Sequence, residues 1–273
     1  MLGKLMKYEI KATGRILIPL YAVLLVFATI NKIFLETNLS SKLSNLGLRG
    51  FSSIPFILST FAYGCTMAAV VIVTFFVIIQ RFYKNLLGDE GYLMNTLPVT
   101  TITNITSKLS IATFWLIISG LVAILSIIIM AFNPNTFNAI FNDIPRALSE
   151  TYKEFGFQMA VVIIEVLVAI LISIIKSLTM IYSSISIGHL FSRHRILSSF
   201  GAFIVLNIIS GAISSFIFIA LSIIGQTNTI RLEPHSILTV HTILIFIILY
   251  NLIFFIGYFI ITHYILKNKL NLE

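Results

Sequence analysis

The chain has 273 residues, 58% of them hydrophobic and only 10% charged, with a mean hydropathy of +1.02 and a formal net charge of +8. An average soluble domain carries roughly 25% charged residues, so this composition excludes a water-soluble globule of the same size. The apolar residues come in long continuous runs without in–out alternation, which favours spanning helices over a membrane barrel.

Residues 1–15 read MLGKLMKYEIKATGR. Lys4, Lys7 and Lys11 share one helical face, while Leu2, Leu5, Met6 and Ile10 fall on or near the other. This pattern predicts a short amphipathic helix in the membrane interface. The first span is Ile16–Leu35, with Pro19 near its start, where a missing N–H matters least. No small-residue cleavage site follows the run, so it is expected to be retained. A polar connection, Glu36–Pro55, leads to the second span, Phe56–Gln80. Here Thr60, Gly64 and Ala68 stand four apart, a spacing that allows close helix packing, expected within the chain. The lone Cys65 lies in this span and has no partner for an intrachain disulfide.

The polar insert Arg81–Ser110 follows. The third span is Ile111–Phe132, where Trp115 is expected as an interface anchor. Asn133–Glu154 reads as a water-exposed connection rich in Asn, Ser, Thr and Pro. The fourth span, Phe157–Gly188, contains Glu165 and Lys176, about three turns or about 16 Å apart on nearly one face. Ionisable residues at this depth are costly, and they are candidates for a translocation path. Glu165 also reads as an interfacial residue and Lys176 as one that snorkels. The basic segment His189–Ser199 leads to the fifth span, Phe200–Ile224, with further small pairs Ser210/Ser214 and Gly211/Ser215. After Gln226–Ser236 comes the sixth span, Ile237–Leu266. Asn207 and Asn251 are expected to hydrogen-bond between helices. No set of His, Cys or carboxylate residues has metal-ligand spacing; His241 and His263 stand near opposite ends of the last span.

The fold class is therefore all-α: a polytopic membrane protein of about six transmembrane helices forming one membrane domain over 1–273. With both termini inside, the inner segments hold eleven Lys and Arg and the outer segments six, Lys176 being within a span. The positive-inside rule then places both termini in the cytoplasm. Nucleic acid is not needed to explain the positive charge, since the basic residues cluster at span ends.

The insert RFYKNLLGDEGYLMNTLPVTTITNITSKLS is long for a mere connection. Phe82, Leu86 and Leu87 alternate with Arg81, Lys84 and Asn85 as in an amphipathic turn. Asp89-Glu90-Gly91 breaks that pattern. Leu93, Met94 and Leu97 follow, Pro98 stops the element, and Thr100 or Thr101 is placed to cap a helix running through Lys108 into the third span. Glu90-Gly91, Leu93, Leu97, Pro98-Val99 and Ser107-Lys108 resemble the segment after the second span in the membrane subunits of type-2 ABC (ATP-binding-cassette) exporters. Tyr92 stands where that family usually has Thr, and Ser107 where it has Gly. The six-span layout and the basic N-terminal helix match as well.

The resemblance implies a cell-membrane permease subunit for export. It also implies that the loop 81–110 docks on a separate ATPase through Arg81, Phe82, Asp89, Glu90, Gly91, Leu93, Leu97, Pro98 and Lys108. Phe82, Tyr83, Tyr92, Leu93 and Leu97 would face a groove on that partner, with Arg81, Asp89 and Glu90 as rim charges. No G-x-x-x-x-G-K-S/T loop is present in the chain, so ATP would be bound and hydrolysed on the partner. A second permease subunit, identical or related, would complete the assembly in the bilayer. The chain itself is expected to hold no cofactor and to be no enzyme, because the clustered Glu/His, Ser/His or paired Asp of intramembrane proteases are missing. A stand-alone secondary carrier and a non-transporting membrane partner or sensor are the alternatives.

Overall fold

A computed structural model describes residues 2–36, 54–88, 91, 99–133, 137–191, 193–226 and 237–269. The described residues are overwhelmingly helical and include no strand. In hydrocarbon every backbone N–H and C=O must bond within its own segment, and a continuous apolar run meets that demand as a helix. The long helices are α1 (Leu2–Glu36), α2 (Ile54–Phe82), α3 (Thr101–Ala131), α5 (Phe157–Gly188), α6 (Arg195–Gln226) and α7 (Ile237–Asn268). The short α4 is Ile144–Phe155. All six long helices have the length and apolarity to cross a membrane. Large aliphatic side chains such as Ile72, Ile124, Leu167, Ile208 and Ile253 point outward from them. So wide an apolar surface is stable against lipid tails rather than water.

Sequence and structure differ at several places. Residues 2–15 are helical but continue into the first span without a break, which puts Pro19 in the interior of α1 instead of at a helix start. The segment 133–154, expected as an irregular connection, is helical from 137 to 155 through a π-helical turn at Ala139–Asp143 and then α4. The start of α3 is as expected. Thr100 caps it, its Oγ1 accepting the N–H of Thr103 at 3.3 Å.

The chain forms two compact units, Met1–Ile78 with Ser110–Leu148, and Ile79–Leu109 with Ser149–Glu273. The first is built from α1 and the greater parts of α2 and α3. Leu17, Tyr21, Leu24, Val70, Ile111 and Trp115 form its core. Trp115 is 4% exposed, which corrects its reading as an interface anchor. Its ring edge lies against α1 at Gly14, where a Cβ would come within 3.4 Å of it. The core is crossed by neutral hydrogen bonds. Asn31, fully buried, donates to the carbonyls of Phe27 (2.9 Å) and Ser59 (3.0 Å), and its Oδ1 accepts from the Ser59 and Thr60 hydroxyls at 2.9 and 3.0 Å. Tyr21 meets the Ser119 hydroxyl at 2.6 Å, Thr74 meets the same hydroxyl at 3.0 Å, and Tyr63 meets Ser126 at 3.0 Å. Where lipid supplies no hydrophobic drive between helices, such bonds and close packing hold them together.

Of the stripe Thr60, Gly64, Ala68, only Thr60 meets a neighbouring helix, through Asn31, while Gly64 and Ala68 are exposed. Nothing lies within 4 Å of a Cβ built at Gly64, and the stripe lines a shallow groove of about 580 Å³ together with Ile57, Phe61 and Cys65. Ser210 is buried on α6, but Gly211, Ser214 and Ser215 are exposed.

Candidate functional site

The second unit contains the start of the insert. α2 ends at Phe82, and the next five residues, Tyr83–Leu87, widen into a π-helical turn, closed by the Gly88 N–H donating to the Tyr83 carbonyl at 2.8 Å. The Phe82 ring is fully buried and stacks on Tyr182 of α5, with centroids 3.9 Å apart and planes 8° from parallel. Leu86 and Leu87 are buried as well. His189, one residue past α5, places Nε2 at 2.9 Å from the Leu87 carbonyl. A carbonyl only accepts, so Nε2 carries the proton. The Tyr83 ring lies 6.2 Å from the same imidazole. Gly188 makes the neighbouring turn possible, because a Cβ there would collide with the Ser199 backbone.

Of the residues expected to dock a partner, Arg81 is half-buried in the last turn of α2, and Gly91 is buried with its N–H donating to the Gly88 carbonyl at 2.8 Å. Lys108 is 4% exposed within the first turns of α3, following Ser107, whose hydroxyl donates to the Asn104 carbonyl at 2.8 Å. Phe82 corrects its expectation: its ring anchors the insert to α5 and is not offered outward. Asp89, Glu90, Tyr92, Leu93, Leu97 and Pro98 lie outside the described residues.

The same unit carries the ionisable residues of the spans, and Glu165 and Lys176 have separate partners. Glu165 Oε2 accepts from His241 Nδ1 at 2.8 Å, joining α5 to α7 with both side chains about one-sixth exposed. Lys176 Nζ lies 5.1 Å from the Tyr250 ring centroid and 5.7 Å from that of Phe254, both on α7. Tyr250 in turn donates to the Ser210 carbonyl of α6 at 2.8 Å. Three helices thus meet along a polar seam. The two asparagines expected to bridge helices do not do so: Asn207 is exposed, and Asn251 donates to the Ile247 carbonyl of its own helix at 2.8 Å.

Sequence reasoning missed Asn31 and the partner of Glu165. Asn31 stands beside Lys32 at the end of a span and looks like a polar flank, and His241 is 76 residues from Glu165. Among the described residues no three His, Cys, Asp or Glu side chains are grouped to hold a metal ion. The fold defines an all-helical, multi-pass membrane protein. No family model, curated protein or solved structure matches the chain.

Proposed function

We propose that the chain is the membrane-spanning permease subunit of an ABC-type exporter in the cell membrane, with both termini cytoplasmic. It pairs with a second permease subunit and is driven by a separate ATPase bound through the loop 81–110. The observation that carries the reading is the attachment of the insert to a span. Phe82 on Tyr182 and Leu87 on His189 tie the start of the loop to α5, so a push delivered to the loop has a rigid path into the spans. A loose connection lying on headgroups would have no use for a fully buried aromatic stack at its root. Glu90, Leu93 and Leu97 then form the contact with the ATPase, and the residues on the α5–α7 seam, Glu165 and Lys176, border the substrate path.

The test is purification of the tagged chain from its native membrane in mild detergent. A stoichiometric ATPase subunit is expected to copurify, to be lost with Leu97→Asp or Glu90→Lys, and to be retained with Leu97→Met. Purification without an ATPase, under conditions in which a control transporter stays intact, overturns the reading. The second reading, a secondary carrier, is favoured by the Glu165–His241 pair, since carriers place protonatable pairs at membrane depth. Proton-driven uptake without ATP would establish it.

A further inference from the structure

The connection between α3 and α5 carries a second feature, independent of the permease reading. Along residues 137–155, Phe137, Phe141, Ile144, Leu148 and Tyr152 recur at steps of three and four, the spacing that gathers residues on one helical face. All five are exposed. Arg146, Ser149, Glu150, Lys153 and Glu154 fall on the opposite face of the 12-residue α4. An isolated helix of that length is marginal in water, so its apolar face requires an apolar phase to rest on.

The bilayer is the apolar phase within reach. α3 ends at Ala131 and α5 begins at Phe157, so both ends of the segment are fixed to spans. The stripe also continues from the end of α3. Phe132 meets Phe137 edge-on at 6.0 Å and 85°, and Phe137 meets Phe141 at 4.6 Å. At the other end Gly156 has φ 58°, and its N–H donates to the Tyr152 carbonyl at 2.7 Å. This positive-φ glycine closes α4 and frees the chain to turn into a span, a conformation that an L side chain would strain.

We infer that α4, with the π-helical turn before it, is a membrane-surface element lying in the headgroup boundary, with Phe141 of the turn and Ile144, Leu148 and Tyr152 of the helix toward the acyl chains. Arg146 and Lys153 are set against Asp143, Glu150 and Glu154, a nearly balanced polar face. Attachment therefore rests on buried apolar area and does not require anionic lipid.

The experiment uses the full chain in phosphatidylcholine vesicles. Cys65, exposed and without a disulfide, is replaced by Ala, and a nitroxide is attached to single cysteines introduced as Leu148→Cys, Tyr152→Cys, Ser149→Cys or Lys153→Cys. Relaxation is then compared in lipid-soluble oxygen and in a water-soluble nickel chelate. Oxygen is expected to dominate at positions 148 and 152 and the chelate at 149 and 153, with the pattern unchanged when anionic lipid is added. Dominance of the chelate at all four positions overturns the inference and leaves the helix in water. Protection of 148 and 152 from both reagents also overturns it, because protein, either a second copy or another chain, would then cover the face. A pattern that appears only with anionic lipid overturns the apolar basis of attachment.

Discussion

The two compact units solve one problem in different ways. Each must hold apolar helices together in a solvent as apolar as they are. The first unit joins its core through neutral groups, Asn31 with Ser59 and Thr60, Tyr21 with Ser119 and Thr74, and Tyr63 with Ser126, and sets a cation over a ring only near the end of α1, Lys32 over Phe132 at 4.5 Å. The second places ionisable groups between its helices, Glu165 with His241 and Lys176 over Tyr250 and Phe254. A hydroxyl–amide cluster satisfies its members at modest cost and has one protonation state. Carboxylate, imidazole and ammonium groups are far costlier at membrane depth and can exchange protons. The neutral clusters of the first unit therefore read as fastening, while the second unit holds a protonatable contact between helices.

Variants of each kind test that contrast. The largest expected effect on stability is in the first unit. Asn31→Leu removes two donated and two accepted bonds and should cost about 1–2 kcal/mol, near the upper end for polar contacts between membrane helices; denaturation in mixed micelles measures it. An Asn31→Leu protein as stable as the parent would show that the cluster fastens nothing. Next is the Glu165–His241 pair. Removing either partner alone leaves the other without its counter-group, so Glu165→Leu with His241→Leu should be less destabilised than the two single variants summed, by a coupling of about 1 kcal/mol. Strict additivity would mean that the pair does not form in the membrane. The smallest effect on stability belongs to Lys176→Met, about 0.5 kcal/mol for the lost cation–ring contacts. On the permease proposal, its effect on ATP turnover with the ATPase partner in vesicles should nevertheless be clear, and undiminished turnover removes Lys176 from that mechanism.

Much of the architecture was legible in the residues. The continuous apolar runs located α2, α5, α6 and α7 to within five positions, whereas α1 and α3 begin 14 and 10 residues ahead of their runs; Thr100 was legible as a cap because a β-hydroxyl before an uninterrupted helical pattern satisfies an otherwise orphaned N–H. The helix 144–155 was missed. Ile144, Leu148 and Tyr152 carry a helical period, but the Asn and Pro residues before them gave the whole segment the composition of a loop. At the insert, Phe82, Leu86 and Leu87 were recognisable as one apolar set. The side they face was not, since either a partner protein or Tyr182 presents a suitable surface.

Sequence alone determined that this chain has six apolar helices and one long polar insert, because crossing a bilayer depends on local composition and on the demand that each segment satisfy its own backbone. Tertiary structure alone decided that Trp115 is core, that Asn31 bridges helices while Asn207 and Asn251 do not, that Glu165 finds His241, and that Phe82 turns inward. Those outcomes depend on how each helix is rotated and which neighbour it meets. In a chain apolar on nearly every face, the one-dimensional pattern carries no record of that rotation.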